Sequence, residues 1–579
     1  MSDNPRIFLW IGLLLLFWLN WQTWQRDYPA GAQPAAPAVT AATTNNPERG
    51  TTASGLDAVI PQAPAPAPAA TGNAPTSTAT AGAALIADQG ATSVAGAAGQ
   101  ANGTAVRVVT DTLDLDISLM GGELQRVDLL RYPQVKGGAT PVRLYNRDDP
   151  SSVYVLQTGL AGVAGAARPT HQATFTAPAT EFRLQPGANE LRVPLTWTDG
   201  QGVTVTKTFI LERGGYAVRL EQRVDNRSPA PWAAAPYAQI LRHNVPIARS
   251  MFSVESYAFK GPAYDDGKKY QKLKLDSAED SKLSRDIQGG WLAALQHHFV
   301  SAVVPPPQQT WHYALNVRGV EYLFAAVGPS ATVEPGASAT FSNAFYVGPK
   351  LQKQLATVSP RLYLVTDYGI LAILAKPLFW LLSWLHALFG NWGWAILVAT
   401  AILKVLFYPL SEASGKSMAK MRALQPRIKN LQETYKDDRE KLGRAMMELY
   451  QREKINPVAG CLPMIIQMPV FLAFYWVLLE SVEMRQAPFM GWISDLSARD
   501  PYFILPLLMA GAMFVQYKLN PTPPDPVQQK VFMIMPLAMS AMFAFFPSGL
   551  VLYWVTNTVL SIAQQWNINR RIDAAGSRK

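Results

Sequence analysis

The chain of 579 residues holds one cysteine and six histidines. A single thiol excludes a disulfide framework for the long middle of the chain. Cys461 opens an apolar run with no histidine near it, which fits a small packing residue better than a nucleophile. His171, His243 and His312 show no ligand spacing. His297 and His298 are adjacent, so in a strand or helix their rings should point apart and make a poor metal pair. No Walker sequence (GxxxxGK[ST]) occurs, so nothing provides for ATP, and no cofactor is expected. Aromatics are missing between Tyr28 and Tyr132. Within that gap, residues 28–104 are mostly Ala, Pro, Thr and Gly with scarcely a charge, too little apolar surface to fold. A disordered linker is expected there. Aromatic-rich RNA motifs are also lacking, so the net charge of +10 points away from nucleic acid and toward membrane topology.

What is present divides cleanly. Residues 1–27 carry the apolar stretch RIFLWIGLLLLFWLNWQTW. Ala30-Gly31-Ala32 resembles a cleavage site, but Trp21, Trp24 and Tyr28 stand between it and that stretch. An uncleaved signal anchor is the better reading, and with no cysteine following, lipoprotein processing is excluded. Residues 105–350 alternate, as in LDLDISL (113–119), VTVTKTF (203–209) and YAVRLEQRV (216–224), with Gly, Pro and Asn between runs. An all-β sandwich is expected. Sandwiches of this size include sugar-binding enzymes, yet no residue here stands out for catalysis.

The C-terminal part is α-helical and apolar. Transmembrane helices are expected at 391–410, 458–482, 501–518, 529–546 and 549–567, each near the length needed to cross a bilayer. With the first anchor this makes six crossings. Residues 411–457 hold eleven Lys and Arg, from Lys416 to Lys454, and should be cytoplasmic. A further crossing at 361–389 would put that loop outside, so this stretch is read as a helix in the outer interface. Both termini are then cytoplasmic, with a basic tail at 568–579 and a large extracytoplasmic domain.

Lys404 is the most informative residue. A lysine deep in a spanning helix costs about 2.5–3.5 kcal/mol on insertion scales. Its side chain leans toward the helix N-terminus, here the outer end, which disfavours snorkelling to the cytoplasm. Thr400 and Tyr408, four residues to either side, share its helix face. Tyr553, Asn557, Ser561 and Gln564 form a polar stripe on the last helix. Such a stripe bonds neighbouring helices or lines water, and beside Lys404 both remain open. Gln467 and Gln516 are further candidates for this lining. In the basic loop Met421, Leu424, Ile428, Leu431 and Tyr435 pair with Leu442, Met446 and Leu449 as the seam of a helical hairpin, bent at Pro426. That hairpin is a self-packed pair, a docking surface, or both. Late methionines such as Met464, Met509, Met533 and Met542 serve as core filler or as adaptable surface.

FYPLSEASGKSMAKMRALQPRI, NPVAGCLPMIIQMPVFLAFYW, SVEMRQAPF, WISDLSARDPYFILP and FPSGLVLYW closely resemble the YidC/Oxa/Alb family of membrane protein insertases. GGWLAALQHHFVSAVVP (289–305) resembles a block of the family's periplasmic domain. The resemblance is dense over 361–570. It implies an insertase and chaperone of the bacterial inner membrane, not an enzyme, acting alone or with the Sec translocon. It implies a five-helix core around a hydrophilic groove, open to cytoplasm and lipid and carrying one positive charge. That position is Lys404, where many members have arginine. Thr400 falls on a groove-facing position, and Tyr553 and Trp554 on a substrate-contacting pair. Implied partners are nascent membrane proteins, the Sec translocon, the phospholipid bilayer and the ribosome, reached through hairpin and tail, although strong ribosome binders often carry longer basic tails. A transporter would need an internal repeat, and none is visible. A periplasmic enzyme would not need five C-terminal crossings as an anchor.

Overall fold

Alternation shapes the N-terminal half. The computed structural model describes residues 56–57, 59–61, 105–162, 167–245, 258–435, 438–453, 462–519 and 526–576. Leu113–Ser118 buries every second side chain, and Val203–Glu212 and Ala217–Asn226 follow the same rule. The strands assemble into two sheets, one of eleven strands and one of eight. Pairing is antiparallel except where Ala105–Val109 runs parallel to Glu181–Arg183. Leu115, Ile117 and Tyr313 of the larger sheet share one core with Phe209, Leu220 and Phe345 of the smaller. The last strand, Ser338–Pro349, ends the β-rich half.

Helices follow: α1 Gln352–Val358, α2 Ala372–Phe389, α3 Trp392–Leu406, α4 Tyr408–Ala423, α5 Gln425–Thr434, α6 Arg439–Arg452, α7 Leu462–Glu480, α8 Ile504–Leu519, α9 Pro526–Phe543 and α10 Ser548–Gly576. Gly390, at φ 65°, ends α2, and the Asn391 side chain then caps α3 by accepting from the Gly393 and Trp394 N–H groups. Leu382, Ile396, Phe474, Met509 and Val551 bring α2, α3, α7, α8 and α10 into one core. Their outer faces stay apolar: Trp380, Trp384, Val405, Leu406, Leu507, Phe514, Phe532, Ile534 and Leu537 are all exposed. Water-soluble proteins seldom leave such a belt uncovered.

Helix length gives fewer spans than the sequence suggests. Among the described residues only Gly369–Phe389 is long and apolar enough to cross a membrane by itself. That helix falls on the stretch expected in the interface. Trp392–Leu406 and Tyr408–Ser417 pass together, but with a bend of 61°. The apolar parts of α7, α8 and α9 are shorter. The expected anchor at 1–27 lies outside the described residues.

The bend has a local cause. Pro409 has no N–H to continue α3, so it opens a new helix, α4, in its first turn. As a result α4 does not extend the hairpin. It runs along α10, where a Cβ on Gly415 would sit 2.9 Å from Ile568 Cγ2. The hairpin itself is α5 with α6, joined by Leu424, Ile428, Met446, Leu449 and Tyr450 and by an Arg427–Glu453 ion pair of 2.7 Å. Met421, Leu431, Tyr435 and Leu442, expected in the seam, lie outside that cluster.

The β-rich half is tied to the helix ends. Arg485 and Gln486 donate to the Pro133 carbonyl at 2.9 and 3.0 Å, and Lys136 to the Gln486 carbonyl at 3.1 Å. His297 bonds the Leu479 carbonyl at 2.9 Å. His297 and His298 do not point apart: they lie in the turn between Trp291–Leu295 and Phe299–Val304, outside strand alternation, and their rings stack at 3.8 Å.

Candidate functional site

Lys404 lies in the last turn of α3, where the exposed carbonyl ends favour a cation. The residue is 9 % exposed. Its Nζ donates to Ser561 Oγ at 2.7 Å, and Ser561 Oγ in turn donates to the Asn557 carbonyl. The break after Leu406 leaves the last carbonyls of α3 short of helical donors. Gln564 Nε2 supplies one, donating to the Lys404 carbonyl at 3.1 Å. Among the described residues no carboxylate forms an ion pair with Lys404.

A partly open cavity adjoins it. The lining combines Thr400, Lys404, Gln467, Tyr553 and Asn557 with apolar Phe407, Leu410, Ile466 and Val470. It holds about 20 Å³ of water-sized space, room for about one water molecule. Gln467 and Asn557 hydrogen-bond across it, joining α7 to α10. Thr400 is anchored by its own helix, its Oγ1 donating to the Ile396 carbonyl at 2.7 Å. Tyr553 stacks on Phe474 at 4.5 Å, which fixes its ring at the wall.

Five of the ten residues singled out in the sequence therefore line one cavity, and Ser561 and Gln564 reach it through Lys404. Trp554 and Gln516 do not line it. Trp554, next to Tyr553 on the helix, turns to a different face and packs on Phe471 and Phe543. Gln516 sits half-buried on α8. Tyr408, expected beside Lys404, is carried away by the bend, and its hydroxyl is buried without a hydrogen-bond partner among the described residues. Phe407 and Ser411 take the place next to the lysine, and Pro409 was the signal for that exchange. Chemically the site offers one buried cation among hydroxyl, amide and aromatic groups. Among the described residues no group of three His, Cys, Asp or Glu could hold a metal ion.

Residues 105–381 match the family model of the YidC periplasmic domain, and residues 384–575 that of the 60Kd inner membrane protein. A membrane protein insertase YidC from Thioalkalivibrio sulfidiphilus is 46 % identical over 588 residues, covering 100 % of both chains. One from Nitrosococcus oceani is 43 % identical over 578 residues, covering 99 % of this chain and 100 % of the relative. Among solved structures, an active YidC insertase with its first transmembrane domain resolved has a TM-score of 0.37 at 19 % identity, covering 80 % of this chain and 92 % of that one. A galactose mutarotase related enzyme from Lactobacillus acidophilus has a TM-score of 0.31 at 10 % identity, covering 42 % and 97 %.

Proposed function

The chain belongs to the YidC family of membrane protein insertases, and we propose that it inserts substrates by lending them a polar, positively charged hollow part-way across the bilayer. As a member it is an inner-membrane insertase with a periplasmic domain, not an enzyme. Its substrates are nascent membrane proteins and its medium is the lipid bilayer.

The observation that carries the reading is Lys404: nearly buried, bonded to a neutral hydroxyl, and without a carboxylate partner among the described residues. A charge so placed attracts an acidic segment of opposite sign. The polar lining shortens the apolar barrier that this segment must cross. The substrate's apolar helix then leaves sideways into lipid, and its burial there drives release. The exposed apolar faces of α8 and α9 offer an edge for that exit. No nucleotide is consumed.

In this scheme the chain crosses six times, with both termini and the α5–α6 hairpin in the cytoplasm. Residues 361–389 lie in the outer interface, a placement that rests on charge parity with the basic loop 411–457. The residues of the groove are Lys404, Thr400, Gln467, Tyr553, Asn557 and Ser561, with Trp554 and Gln516 as second-rank contacts met when a substrate parts the helices. The Sec translocon and the ribosome are partners, the latter through the hairpin and the basic tail.

The test is reconstitution into protein-free liposomes with a short substrate whose translocated segment is acidic. The expected outcome is protease-protected substrate without ATP or any other protein. Protection no greater than in empty liposomes would overturn the proposal.

A further inference from the structure

One outer face of the β-sandwich is dry where a sandwich surface should be wet. In the larger sheet Gln157 and Gln239 are direct cross-strand partners on Tyr154–Ala161 and Trp232–His243. Their neighbours Leu156 and Ile240 point into the core between the sheets, so alternation puts both glutamines on the opposite face. Yet Gln157 is 1 % exposed and Gln239 0 %. The cover is part of the stretch expected to be a disordered linker: Leu56, Asp57 and Val59–Pro61. That expectation fails here because a few residues find a ready-made partner surface.

The fit is specific. Leu56 fills an apolar hollow of Val155, Leu241 and Leu323. The Asp57 carboxylate receives two guanidinium N–H groups of Arg147, both at 3.1 Å, and the Gln157 amide at 2.7 Å. Buried Glu123 holds Arg147 from the other side. The main chain is read too. His171 Nε2 lies 3.0 Å from the Asp57 carbonyl, with its Nδ1 held by the Tyr237 hydroxyl at 2.8 Å. Gln239 Nε2 donates to the Val59 carbonyl at 3.2 Å. Gln239 Oε1, on the same amide, is buried with no hydrogen-bond partner among the described residues.

We infer that this face is a recognition site for peptide turns in which leucine precedes aspartate, occupied in cis by Leu56, Asp57 and Val59–Pro61, where the Val59 N–H closes a turn on the Leu56 carbonyl at 3.3 Å, and open to a segment of another protein bearing the same pair. The recognition is built from a bidentate arginine, an apolar hollow and two main-chain contacts, none of which depends on covalent connection to the site. It stands apart from the insertion reading. A tethered occupant competes at an effective concentration of about millimolar order, so a free peptide binds well only when the cis segment is disabled.

The experiment uses the full chain in detergent, as wild type and as the double variant Leu56→Ser, Asp57→Ala. The probe is the fluorescent peptide SGLDAVIPQ, residues 54–62 of the chain. Anisotropy should show it binding the double variant at least about tenfold more tightly than the wild type. The peptide with asparagine in place of aspartate should lose about tenfold or more, because a charge-assisted bidentate contact is gone. No binding to a double variant that keeps its thermal transition would overturn the inference, as would equal binding of the asparagine peptide. A second measurement needs no variant. Excess SGLDAVIPQ should speed amide exchange at Val59 and Ile60 of the wild type, whereas the asparagine peptide should not. Unchanged exchange would refute displacement even if the double variant failed to fold.

Discussion

Lys404 can be tested as a charge rather than as a residue. Its Nζ sits 2.7 Å from Ser561 Oγ at 9 % residue exposure, with no carboxylate in an ion pair among the described residues. A substrate carboxylate brought to about 4 Å gains about 4 kcal/mol at an effective dielectric of about 20. Desolvation takes back much of this, leaving about 1–2 kcal/mol. That is about 5–30-fold in capture, at 1.4 kcal/mol for each factor of ten. The assay is the initial rate of protease protection in liposomes for two substrates that differ only by Asp or Asn in the translocated segment. Lys404→Ala should slow the Asp substrate about 5–30-fold and its Asn twin less than about twofold, since the polar lining survives. Lys404→Arg should retain the preference because its guanidinium keeps the charge and a donor within reach of Ser561. Lys404→Glu should fall below Lys404→Ala for the Asp substrate, through like-charge repulsion. Ser561→Ala removes the neutral partner and should leave the acid preference intact. Equal slowing of both substrates by Lys404→Ala would refute capture by charge and leave the lysine a role in holding α10 to α3.

The parts of this protein that were legible in its sequence are those set by a short period. LDLDISL and YAVRLEQRV alternate because one face of each strand is buried, and the structure buries that face. Lys404, Thr400, Tyr553 and Asn557 converge because helical spacing fixes each set on one side of its own helix. What spacing cannot supply is a break or a rotation. Tyr408 leaves the site because Pro409 restarts the helix, and Trp554, one residue past Tyr553, is turned by about 100° to another neighbour. Gln516 had no periodic partner to fix its direction, and it misses the cavity. The docking of Leu56 and Asp57 was hidden for a different reason. Composition averaged over residues 28–104 describes a chain too poor in apolar groups to form its own core. It says nothing of a few residues that borrow a core from strands a hundred positions later.

Topology is open to direct labelling: cysteines at 420 and 575 should react only from the cytoplasmic side and one at 495 only from outside. Periplasmic labelling at 420 would overturn the whole charge-parity scheme. The last prediction concerns Lys207, which alternation puts at an inward position beside Val205 and Phe209, and which is 0 % exposed. Its amine donates to the carbonyls of Gly121 and Thr158 at 2.6 and 2.9 Å, and lies 4.8 Å over the Phe175 ring. Burial pulls its pKa from the ordinary 10.5 down to about 7. Between those values the unfolded chain binds more protons than the folded one, so stability rises with pH there. The contribution is full above 10.5, is lost as pH falls, and levels off below about 7. Lys207→Met removes this dependence and leaves two buried carbonyls without that donor, at about 1–3 kcal/mol each. The variant should therefore be less stable at pH about 9.5, and its deficit should shrink toward pH 7 by up to about 1.4 kcal/mol per unit. The measurement is the thermal midpoint of the near-ultraviolet circular dichroism of the full chain, wild type minus variant, so that the buried tyrosines cancel. A difference that stays flat with pH would show that the buried amine keeps its proton, held by its acceptors against the cost of burial.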